Sequence, residues 1–188
     1  MKKYILTFIA LLLLGLVGSA IYEQTTKDKV PGKAKRLECH KKTTAFERGY
    51  GDEDIQKAQK ALLNGNYQII SGVDKSTYMK STLFNFVDMD ELDKYLNEVL
   101  QKRIIKKENI KDEAIRVNYK VYENDKEDPK KKSDNCKLFR GYVVMKFINQ
   151  NNKVVYQIQI DFMDQNGKDI PSTLECALES FLTFNKGK

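Results

Sequence analysis

The sequence predicts an α+β fold: an antiparallel meander sheet of three to four strands with helices packed on one face, behind an N-terminal transmembrane or signal segment. Three observations carry that expectation. Residues 4–22 form an uninterrupted apolar run, three later stretches alternate apolar and polar residues, and three others repeat apolar residues at helical spacing. A chain of 188 residues has room for one domain and a short extra segment.

The apolar run reads YILTFIALLLLGLVGSAIY and follows Lys2 and Lys3. At about 1.5 Å per residue it spans about 28 Å, close to the ~30 Å hydrocarbon core of a bilayer. It is read as a membrane anchor. Gly18-Ser19-Ala20 also makes a signal-peptidase site, so the other reading is a signal peptide cleaved near Ala20. No cysteine of a lipoprotein motif follows it. Counting Lys and Arg on each flank favours an internal domain, because Lys27, Lys29, Lys33, Lys35 and Arg36 follow the segment. The short basic start before an apolar run is the ordinary export signal, and export is the expectation adopted. The organisation is then an anchor or signal peptide at 1–22, a basic linker at 23–44 and an exported α+β domain at 45–188.

Within the domain, Ile55, Ala58, Ala61 and Leu62 share one helical face, with Asp52 or Asp54 as the cap and Asn64-Gly65 as the stop. Residues 67–73 read as a short strand. Met89, Leu92, Leu96, Val99 and Leu100 stripe a second helix behind an Asp88/Glu91 capping box. Ile115, Val117, Tyr119 and Val121 then alternate with polar partners. So do Phe139, Val143, Met145 and Phe147, and Val154, Tyr156, Ile158, Ile160 and Phe162. Period-two alternation marks strands with one buried and one wet face. Asn149 to Asn152 supplies the tight turn between the last two. Leu174, Ala177, Leu178, Phe181 and Leu182 stripe a final helix, expected over 173–184 with a Ser172/Glu175 capping box.

Formal net charge is +7, and without Lys2 and Lys3 the remainder has 31 Lys+Arg against 26 Asp+Glu, or +5. This mildly basic surface suits acidic partners, and export excludes nucleic acid. The single histidine, His40, falls in the linker and is expected to be exposed. One histidine leaves no multi-histidine metal site, and no nucleophile-elbow, phosphate-loop or dinucleotide pattern occurs. Asp88, Asp90, Glu91 and Asp93 suit a helix dipole, and Asp164 to Gly167 suits a tight turn, rather than calcium. No carboxylate falls on the apolar face of an alternating strand. The expectation is no enzyme, no catalytic residue, no cofactor and no metal.

Three cysteines in an exported chain, Cys39, Cys136 and Cys176, predict one disulfide and one further thiol. At 100° per residue Cys176 lies about 200° from Leu174, off the core stripe. A cysteine there is better explained by a bond than by packing. Its partner is Cys39 or Cys136, and Cys39 is preferred because the linker otherwise lacks an attachment. Tyr122 and Tyr142 fall on wet strand faces and are the candidate interaction surface. Together these features predict a non-catalytic envelope protein, periplasmic and held in the inner membrane by residues 4–22. It would be a protein-interaction or scaffold component of a larger assembly such as a motor or secretion complex, with other envelope proteins as partners. The alternative is a small-ligand-binding domain with a pocket between the sheet and the C-terminal helix.

Overall fold

A computed structural model describes residues 37–105, 114–125 and 139–184. All of them belong to one compact unit, Arg36–Gly187. The expected membrane segment and most of the linker lie outside the described residues, among which no helix is long and apolar enough to cross a membrane.

The architecture is α+β: a five-stranded mixed sheet with three helices. In chain order the elements are β1 (Ala45–Gly49), α1 (Asp52–Leu63), β2 (Tyr67–Asp74), α2 (Met89–Gln101), β3 (Ile115–Glu123), β4 (Gly141–Ile148), β5 (Val154–Phe162) and α3 (Ile170–Thr183). Two 3-10 turns, Glu38–Lys41 and Leu83–Asn85, complete the set. The strand order is β1-β5-β4-β3-β2.

The meander β3-β4-β5 is antiparallel as expected. The rest of the sheet is not. β2 runs parallel to β3, because α2 carries the chain across between them in a βαβ crossover. β1 adds a fifth, antiparallel strand beside β5. The sheet is therefore mixed and five-stranded rather than an antiparallel sheet of three to four.

Side chains at Val117, Tyr119, Val121, Val143, Met145, Phe147, Ile158 and Ile160 are fully buried and face the helices. Phe147 stacks on Phe181 of α3 with ring centroids 3.7 Å apart, and Tyr156 lies edge-on to Phe184. Gly141 opens β4, opposite Glu123 of β3. A Cβ there would collide with the Tyr122 carbonyl oxygen and the Phe162 ring.

Helix starts follow the local chemistry with two corrections. Asp88 caps α2, its carboxylate accepting from the backbone N–H of Asp90 and Glu91. α1 begins at Asp52 itself, with Gly51 as the cap at φ 88°, so Asp52 and Asp54 act in the first turn and not as caps. α3 begins at Ile170, with Pro171 inside its first turn, where the missing N–H costs nothing. Ser172 is thus helical and forms no capping box with Glu175. Its hydroxyl donates instead to the Asp169 carbonyl.

Candidate functional site

With all three helices on one side, the other face of the sheet has no helical layer among the described residues. Cross-strand register aligns one row over it: Asp74 on β2, Tyr122 on β3, Tyr142 on β4 and Asp161 on β5. The two candidate tyrosines are brought together. Their rings stack at 4.7 Å with planes 10° apart. Lys120 Nζ lies 5.1 Å from the Tyr122 ring centroid and 2.9 Å from an Asp74 carboxylate oxygen. Burial raises the Tyr142 hydroxyl pKa, and the neighbouring Tyr122, Asp74 and Asp161 raise it further, so Tyr142 stays neutral and available as a donor. Farther along this face run Gln157, Lys146, Asn118 and Ile70, paired in register with Arg48 at the β1 edge. Phe46 on the same face is 65% exposed and Ile70 37%.

At the β5 end of the row lies a cleft of about 320 Å³, bounded by Lys41, Lys42, Phe139 and Met163. Phe139, expected on the core face of β4, precedes that strand and lines this cleft instead. Asp161 forms part of the wall. It was expected on a wet strand face and is buried. Its Oδ1 has no hydrogen-bond partner among the described residues. Burial raises its pKa against hydrogen bonds from Gln159 and Thr44.

On the helix side the expected emptiness of carboxylates is overturned. Glu123, the last residue of β3, points inward and is buried. It accepts from the backbone N–H of Ser76, Thr82 and Leu83 and pairs with Arg140 at 2.9 Å. Burial pushes its pKa up, but the Ser81 hydroxyl and these backbone donors outweigh that and bring it to about 2. The strand ends where the layer above it opens, so loop N–H groups reach the carboxylate. It is a structural cap to the 75–88 connection.

Cys39 and Cys176 form a disulfide, and with it the 3-10 turn Glu38–Lys41 packs on the outer side of α3. Part of the segment read as linker is therefore built into the domain. Cys136 lies outside the described residues. His40 is buried rather than exposed, at 5% accessibility, and its Nε2 lies 2.6 Å from Ser180 Oγ. The Ser180 hydroxyl donates to the Cys176 carbonyl, so the histidine is the donor in that contact. Tyr156, beneath, donates to Glu47 at 2.5 Å. Cys39, His40 and Cys176 offer ligand atoms within 4.8 Å of one another, but the disulfide occupies both sulfurs. The cluster is a covalent staple backed by a buried imidazole. The acidic residues at the α2 start are likewise absorbed, Asp88 as cap and Asp93 as acceptor from Tyr119 and Ser71.

No protein-family model and no curated protein matches the chain. Among solved structures, a PelC dodecamer from Paraburkholderia phytofirmans is similar at TM-score 0.35 and 11% identity, over 75% of this chain and 95% of that one. A likeness at that level has no bearing on function.

Proposed function

We propose that this chain is a non-catalytic envelope protein that binds another envelope protein through the face of its sheet opposite the three helices, as one component of a larger periplasmic assembly. The observation that carries the reading is the stacked Tyr122–Tyr142 pair, centred in a row of aligned residues on that face. Stacking fixes both rings in advance, so little side-chain entropy is lost on contact, and tyrosine offers a large area with a polar tip. Arg48, Arg116, Lys120 and Lys146 outnumber Asp74 and Asp161 on the same face, which favours an acidic partner surface. The disulfide fits an oxidising compartment, as the export reading of residues 4–22 requires. The Ser180–His40 contact is covered on all sides, which supports a structural role and not a nucleophilic one.

A ligand-binding reading draws on the cleft beside Asp161 and not on its expected location. Phe181, Leu174, Ala177 and Leu178 fill the space between sheet and C-terminal helix at 1% exposure or less. The test is a photo-cross-linking amino acid placed at Tyr142 and, separately, at exposed Glu98 on α2 in the full chain. Adducts to an envelope protein from Tyr142 and none from Glu98 are expected. Equal labelling from both positions would sink the reading.

A further inference from the structure

The connection between β2 and α2 shows an unusual combination of order and exposed apolar surface. Long connections are ordinarily polar where they meet solvent. Here residues 75–88 include Tyr, Met, Leu, Val and two Phe, with two lysines and one acidic residue, the α2 cap Asp88. Tyr78 is 88% exposed, Phe86 62% and Met79 36%. Lys75 and Lys80 are exposed beside them.

The backbone beneath these side chains is held firmly. Glu123 accepts from Ser76, Thr82 and Leu83, and Arg140 bridges Glu123 and the Thr82 hydroxyl. Asp125 accepts from the backbone N–H of Tyr78 and Met79 and from the Ser76 hydroxyl. Leu83 is fully buried and pins the far end. Two carboxylates and an arginine thus organise a connection in which Phe84 and Val87 pack against the core while Tyr78, Met79 and Phe86 face outward. Exposed apolar groups on an ordered support mark a contact surface rather than a frayed loop.

The composition decides which kind of contact. Aromatic rings with polar tips, a flexible thioether and lysines with long apolar stems are the side chains that settle at a bilayer interface, ring and stem in the acyl boundary and charge among headgroups. The acidic groups around the connection are each engaged, Asp74 by Lys120, Glu123 by Arg140 and backbone N–H groups, Asp125 by the N–H groups of Tyr78 and Met79 and Asp88 as the α2 cap, which leaves Lys75 and Lys80 as the outward charges that anionic lipid meets. We propose that the β2–α2 connection is a membrane-interface contact, with Tyr78, Met79 and Phe86 entering the headgroup region of an anionic bilayer and Lys75 and Lys80 among the phosphates. This surface adjoins the Asp74 end of the Tyr122–Tyr142 row but uses different side chains, so substitutions at 75, 78, 80 and 86 test it without touching the tyrosine pair.

The chain has no tryptophan, so a single introduced one is a clean reporter. Tyr78→Trp, Phe86→Trp and, as a control on the sheet face, Phe46→Trp are made in the full chain. Each is reconstituted in bilayers of phosphatidylcholine alone or mixed with phosphatidylglycerol. The first two are expected to shift to shorter emission wavelengths in the anionic bilayer and to be quenched by brominated acyl chains. Phe46→Trp is expected to do neither, and Lys75→Ser with Lys80→Ser to abolish the dependence on anionic lipid. Unshifted, unquenched emission from positions 78 and 86 overturns the proposal. So does equal quenching at position 46, which would place the whole domain on the membrane without selectivity. If Phe86→Trp unfolds the chain, Tyr78→Trp alone decides, since that position is almost fully exposed.

Discussion

Glu123 shows what one residue does at the end of a strand. Its ordinary pKa is 4.5 and the folded value is about 2. A depressed carboxylate stabilises the fold above its unfolded pKa, and that contribution disappears as pH falls through the folded value. The difference corresponds to roughly 3 kcal/mol. Unfolding free energy is therefore expected to separate wild type from Glu123→Gln by about that amount at neutral pH, with the gap closing as pH falls from 4.5 towards 2. Urea titrations at several pH values check this, and a gap independent of pH would count against the role assigned to Glu123. Such a residue is not legible in sequence. Its partners Ser76, Thr82 and Leu83 lie more than forty positions away or at forty, and a polar residue closing a strand reads as the start of a loop. His40 escaped for the same reason, since its burial depends on α3, 140 positions later. Tyr122 and Tyr142 were legible, because period-two alternation assigns a face without needing a partner.

Among the elements, those that hold a face of their own were readable. β3 and β4 alternate cleanly, β5 alternates through its middle while Val155 and Asp161 near its ends are buried out of pattern, and α2 has both its stripe and its Asp88 cap. Replacing Asp88 by Ala is expected to cost about 1 kcal/mol, because the first turn of α2 loses its side-chain acceptor. Thermal unfolding measures it, and an unchanged midpoint would mean that packing alone fixes the α2 start. β1 was not readable. Its five residues, Ala-Phe-Glu-Arg-Gly, have no apolar alternation, because an edge strand seals only a corner of the core. The parallel pairing of β2 was hidden for a different reason. A strand–helix–strand order was visible, but which strand β2 joins is set by the crossover path of α2 and not by composition.

For the molecule as a whole, the disulfide ties position 39 to position 176 across a separation of 137 residues. Closing so long a loop restricts the unfolded chain, with an expected contribution of roughly 2–5 kcal/mol. Urea unfolding with and without a dithiol reductant should show a loss in that range, accompanied by release of the 38–41 turn from α3. Equal stability in both conditions would show that the turn is held by packing. The staple, the helix layer and the buried caps all lie on or around one side of the sheet. They leave the Asp74–Tyr122–Tyr142–Asp161 row on a face with no helical cover among the described residues, and the proposed function rests on that asymmetry. The most direct test is in-cell cross-linking of the tagged full chain followed by mass spectrometry of the membrane fraction, comparing wild type with the Tyr122→Ala/Tyr142→Ala double variant. A reproducible set of envelope-protein partners for wild type, lost in a variant of unchanged thermal midpoint, is the predicted result. An identical set from both chains, or none from wild type, would contradict the account.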